Sequence, residues 1–112
     1  MTEIKSPKLY DLEDRTYNFA AKCREYLRID SKPKSYSDDA RQLIRSSGSV
    51  AANYIEANES LSKKDFIMRI KICRKEAKES VLWLRLLKAP EELIGESREL
   101  TKIFGAILEK SK

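Results

Sequence analysis

Residues 45–67, RSSGSVAANYIEANESLSKKDFI, constrain the fold more than any other part of the chain. Up to Ile55, small and apolar residues recur at three- and four-residue steps, the spacing of one helix face. Residues 58–61 break the pattern. Ser62 and Asp65 then form an S-x-x-D variant of the capping box, which opens a new helix. A connection this short places successive helices side by side and antiparallel.

The same period runs through the rest of the chain. Residues 1–10 contain Pro7 and show no periodicity, so they read as a loose arm. Asp11 can cap a first helix, with Asp14 in its first turn favoured by the helix dipole. Leu12, Phe19, Ala20, Cys23, Tyr26 and Leu27 form its apolar stripe, which fades near Ile29 where DSKPKSYS brings turn chemistry. A second helix begins at Ser37 or Asp38. Ala40, Leu43, Ile44, Ser47, Val50, Ala51, Tyr54 and Ile55 share its inner face. The third helix is predicted over residues 63–88 and stopped by Ala89-Pro90. Phe66, Ile70, Cys73, Ala77, Ser80, Val81, Leu84 and Leu87 line its core side. Pro90 suits the first turn of a fourth helix, followed by Glu91 and Glu92. Its inner face is Leu93, Ser97, Leu100, Phe104, Ile107 and Leu108; Gly95 is expected to delay its regular part and the tail EKSK to fray. No segment alternates with period two. The prediction is an all-α, antiparallel up-down-up-down four-helix bundle, one domain over residues 1–112.

Absent residue types narrow the function. The chain has no histidine, which removes the usual general base, the commonest metal ligand and any Ser-His or Cys-His nucleophile pair. No glycine-rich phosphate loop and no zinc-spaced cysteines occur. Neither an enzyme nor a metal or cofactor protein is expected. Cys23 and Cys73 lie far apart and read as core thiols of a reduced, cytoplasmic protein. No apolar run approaches the roughly 20 residues of a membrane span.

Three surfaces remain as candidates. The net charge of +5 is uneven: residues 62–88 hold nine basic against three acidic residues, +6, and the rest of the chain sums to −1. At 100° per residue, Lys64, Lys71, Arg74, Lys75, Lys78 and Arg85 fall into one basic stripe on the third helix. Such a stripe is either a solvated face or a surface for RNA, DNA or another polyanion. Met68, Ile72, Trp83 and Leu86 form a second apolar strip on the same helix. They mark a homo-oligomer interface unless two neighbouring helices of the same bundle cover them. On the second helix Arg45, Ser49, Asn53 and Glu56 stack into a polar ridge. It is read as a network fixing helix registry ahead of a partner surface. Within that helix Gly48, in the run SSGS, costs about 1 kcal/mol relative to alanine. It is either merely tolerated or lets another helix approach closely.

The central stretch resembles the signature of the 23S rRNA-intervening sequence protein family, also called four-helix bundle proteins. Arg45, Ser49, Val50, Asn53, Glu56, Ser62, Lys63, Lys64 and Phe66 fit the family pattern. Ala57 stands where glycine is common, and Asp65 replaces glutamate. YDLEDRTYNFA upstream and KEAKESVLWLRLL downstream are similar too. The resemblance implies a left-handed antiparallel bundle, a ring-like homopentamer and a bacterial source, since members are often encoded within insertions in ribosomal RNA genes. The accessory protein of diversity-generating retroelements looks like the same fold, which adds weight to nucleic-acid binding. A protein-interaction adaptor is the alternative.

Overall fold

The computed structural model describes residues 12–29 and 37–112. They form α1 (Leu12–Ile29), α2 (Asp38–Asn58), α3 (Lys63–Leu86) and α4 (Glu91–Lys110). Among the described residues there is no strand. The N-terminal arm, the Asp11 cap and most of the DSKPKSYS turn lie outside them.

The start signals act as the sequence implies. Ser37 accepts a hydrogen bond from the Ala40 N–H at 3.0 Å, and Ser62 accepts one from the Asp65 N–H at 3.1 Å. Each cap satisfies a donor that the first turn would leave unpaired. Glu13 and Asp14, Asp38 and Asp39, Asp65, and Glu91 and Glu92 place negative charge in the four first turns.

Cross-helix contacts fix the topology. Ser46 meets Ser80, the Val50 carbonyl meets Cys73 and Asn53 meets Arg69, so α2 and α3 run antiparallel. Arg24 reaches Ser47 and the Ile44 carbonyl while Glu13 reaches Asn58, which sets α1 antiparallel to α2. Ser97 donates to the Ala77 carbonyl, joining α4 to α3. Each helix packs on two others; α1 and α3, and α2 and α4, face one another diagonally. The α1–α4 seam is the sparsest, held by the Arg15–Glu96 pair at 2.7 and 2.9 Å.

The core follows the predicted stripes. Leu12, Phe19, Leu43, Val50, Ile70, Leu84, Leu100 and Phe104 are almost completely buried. Burying each such side chain contributes roughly 1.5–3 kcal/mol. Ile44 and Phe66 are only half-buried and pack against this cluster. Ile55, assigned to the inner face of α2, is 47% exposed, because the following Ala57 and not Ile55 turns inward. Between α2 and α3 the core is made of small residues. Ser46 and Ser80 are fully buried and their hydroxyls meet at 2.7 Å. Ser80 also donates to the Glu76 carbonyl at 2.9 Å, so both hydroxyls are satisfied inside apolar surroundings.

Four local expectations need correction. Predicted to run to residue 88, α3 ends at Leu86, two residues earlier, because Lys88 adopts φ 58°. The Ala89 N–H bonds the Leu84 carbonyl at 2.9 Å and the Lys88 N–H bonds that of Arg85 at 3.0 Å, a Schellman closure. Gly95 does not delay α4, which is regular from Glu91, and the helix persists to Lys110, so only the last two residues leave it. Gly48 makes room for a side chain rather than a helix backbone. A Cβ there would lie 2.9 Å from Nη2 of Arg24, whose guanidinium lies across α2 onto the Ile44 carbonyl at 3.0 Å.

Candidate functional site

The basic stripe is built by one uninterrupted helix. Lys64, Lys71, Arg74, Lys75, Lys78 and Arg85 are all exposed. None of the six takes part in an ion pair among the described residues. Lys71, Arg74, Lys75 and Lys78 line a shallow groove of about 310 Å³ whose floor includes Leu108 of α4. Arg74 runs beside α4: its Nε lies 3.7 Å from where a Cβ on Gly105 would stand. Toward the start of α3, Lys63, Lys64 and Lys71 rim a largely apolar hollow of about 470 Å³ over Ile67 and Met68. Free cations around shallow, open relief suit an extended polyanion better than an enclosed small molecule.

The polar ridge of α2 turns toward α3. Arg45 donates from Nη1 to both carboxylate oxygens of Glu76 at 3.3 Å, from Nη2 to Glu79 and from Nε to Gln42 at 3.1 Å. Glu76 is buried, and its carboxylate is held there by this charged partner. Glu79 also accepts the Trp83 indole N–H at 2.9 Å. That bond first, and Arg45 second, lower the Glu79 pKa against the opposing effect of burial. The hydrogen bond with Glu76 is the main cause that raises the Arg45 pKa. Two turns further along, Asn53 donates to the Ser49 carbonyl and hydroxyl, both at 3.0 Å, and its side-chain oxygen accepts from Arg69 at 3.0 Å. Arg45, Ser49 and Asn53 thus join α2 to α3. Glu56 stays outside this network and is exposed; its backbone carbonyl receives the Ser60 hydroxyl at 3.2 Å.

Glu76, Glu79 and Arg69 are the members of the seam that sequence reasoning did not single out. Arg69 and Glu76 carried a weak spacing signal, and Glu79 carried none. Arg69, Glu76 and Ser80, at steps of seven and four, share the edge of α3 beside the core stripe.

The second apolar strip is only partly covered by the chain itself. Met68 is 43% and Leu86 54% exposed, while Ile72 and Trp83 are half-buried. Leu82, 46% exposed, extends the strip toward the basic side. Packing of α3 against α2 and α4 accounts for the core stripe but leaves Met68, Leu82 and Leu86 facing outward.

Elsewhere the described residues offer little chemistry. Burial pushes the Cys23 and Cys73 thiols up to about 12, so both are protonated and unreactive near neutrality. Both are free. No group of acidic or cysteine residues among the described ones is arranged to hold a metal ion. No helix among them is long and apolar enough to cross a membrane. A half-open cleft of about 440 Å³ between α1 and α4 is lined by Asp14, Asn18, Lys22 and Glu92 around the Arg15–Glu96 pair.

Comparison with known proteins agrees with this architecture. A search of curated proteins returned no match. Among solved structures the chain is similar to a protein of unknown function from the S23 ribosomal protein family of Bacteroides thetaiotaomicron. The two are 27% identical with a TM-score of 0.80, over 89% of this chain and 96% of the other. The model of the 23S rRNA-intervening sequence protein family matches residues 11–105, which takes in all of α1, α2 and α3 and most of α4. With the four-helix order, the Ser62-capped turn and the Arg45–Asn53 seam in place, this chain belongs to the 23S rRNA-intervening sequence protein family.

Proposed function

We propose that this protein is a non-enzymatic, self-assembling helical bundle that binds structured RNA or duplex DNA through the basic stripe of α3. The observation that carries the reading is the contrast between cations. Arg15 and Arg45 are spent on carboxylates within the fold, whereas Lys64, Lys71, Arg74, Lys75, Lys78 and Arg85 are exposed and unpaired among the described residues. A run of unneutralised charge along one helix attracts phosphates without reading sequence. No aromatic side chain interrupts the stripe, which favours a backbone-tracking mode over base stacking.

Assembly supports the same reading. Met68, Ile72, Trp83 and Leu86 give α3 an apolar strip that in this reading meets other copies of the chain, as a homopentamer. Repeating the stripe around a ring lets weak contacts add. A bacterial cytoplasmic setting fits the free buried thiols and the Bacteroides relative. The test is binding to a structured RNA and a duplex DNA at several salt concentrations. If about four phosphates are neutralised, log affinity for B-DNA falls with log salt at a slope near −3.6. Reversing Lys71, Lys75 and Lys78 to glutamate abolishes binding while the helical signal is unchanged. Absence of binding at low salt, or binding indifferent to those reversals, would leave the protein-interaction adaptor as the function.

A further inference from the structure

Arg69 is a cation the fold does not neutralise. Its guanidinium is half-buried between α2 and α3 and makes one hydrogen bond, from Nη1 to the neutral Asn53 side chain at 3.0 Å. Its Nε–H is buried and has no acceptor among the described residues. No carboxylate there lies within ion-pair distance of it, although Arg45, on the same seam, holds two. A buried donor left unpaired destabilises a folded protein, so a group in this condition calls for an explanation. Asn53 is itself fixed by two bonds to Ser49, so its oxygen holds the guanidinium in place.

The surroundings narrow the kind of group that suits this guanidinium. Arg69 faces roughly 180° away from Lys78 around α3, so it is not part of the phosphate-binding stripe. Asp65 and Glu76 stand one and two turns away on its own side of the helix, and exposed Glu56 lies one turn beyond Asn53 on α2. These acids repel a polyanion, which brings many charges, more than they repel a single carboxylate. Ile72 of the apolar strip lies one turn along and roughly 60° round the helix. We propose that Arg69, held by Asn53, receives a side-chain carboxylate from a second copy of this chain when the apolar strip is covered. The proposal rests on the assembly reading above and adds the residue that completes it. A carboxylate arriving over Ile72 gives the guanidinium a charged acceptor while Nη1 stays on Asn53, and the apolar cover strengthens that pair.

The experiment uses the full chain carrying R69K, prepared once with ordinary nitrogen and once with nitrogen-15. The two are mixed, reassembled and treated with a water-soluble carbodiimide, which joins an amine to a touching carboxylate as an amide with loss of water. Peptides linking residue 69 to an aspartate or glutamate in mixed-isotope pairs are expected. R69M is expected to raise the assembly dissociation constant at least tenfold with the helical signal retained; should R69M fail to fold, the R69K cross-links decide alone. Links confined to same-isotope pairs would overturn the proposal. So would an R69M chain that assembles as the wild type does, or one that assembles normally but loses RNA, since the anion would then be phosphate. A wild-type chain that is monomeric at micromolar concentration removes the assembly reading itself. An oligomeric wild type with an indifferent R69M removes only the role of Arg69.

Discussion

Lys88 offers a sharp test of the energetics, because one dihedral angle decides the outcome. It adopts φ 58° in the two-residue step that closes α3 before Ala89 and Pro90. An L-residue in this left-handed region carries about 1–2 kcal/mol of backbone strain, and glycine carries none. Lys88→Gly removes that strain but adds unfolded-state entropy of about 0.5–1 kcal/mol. The exposed lysine also sits near the negative end of the α3 dipole, where its charge is worth about 0.3–1 kcal/mol at low salt. The net expectation in 0.5 M salt, which screens the dipole term, is a gain of about 0.5–1 kcal/mol. The control is Lys88→Ala, which loses the same charge and keeps a Cβ. It should be no more stable than the wild type. Urea denaturation at one fixed protein concentration reads the difference as a shift in midpoint with an unchanged slope. A glycine variant no more stable than the alanine variant would show that the left-handed turn carries no strain, and that the Schellman bonds of Lys88 and Ala89 overdetermine it.

Replacing Leu84, fully buried near the C-terminal end of α3, by alanine should cost about 2–5 kcal/mol in denaturant titration. Ser80→Leu should cost about 1–3 kcal/mol by overpacking, and more if the buried Ser46 hydroxyl is left unpaired. The folded-state pKa of Glu79 is lowered by Trp83 and Arg45, so ionised Glu79 stabilises the fold above its ordinary value of 4.5, and this contribution fades as pH falls through the lower folded-state value. Glu79→Gln should therefore flatten the acid limb of the stability curve, and Trp83 fluorescence should report the same titration only in the wild type. Cys23 and Cys73, their thiols pushed up to about 12 by burial, should react with a thiol reagent at neutral pH only after denaturant is added.

The fold was legible because helix periodicity depends on local spacing, and the two observed serine caps depend on residues three apart. Leu43, Ile70, Leu84, Leu100 and Phe104 all lie inward as their spacing requires. Two of the failures share a cause: they depend on a neighbour that spacing does not specify. Gly48 reads as room for a helix, yet the occupant is the Arg24 side chain from α1, and the arginine at position 24 carries no local sign of that role. The ridge on α2 was visible as Arg45, Ser49 and Asn53, but its counterparts Glu76, Glu79 and Arg69 looked like ordinary charges within a basic helix. This matters for the stripe as well. Net charge by segment counts Arg69 with the lysines, while the fold turns it to the opposite side and ties it to Asn53. The set proposed to face phosphate is therefore smaller than the basic count of residues 62–88, and a salt slope interpreted from that count would overstate the contacts. Lys71, Lys75 and Lys78 should carry most of the slope, and the contribution of Arg69 should appear in assembly instead.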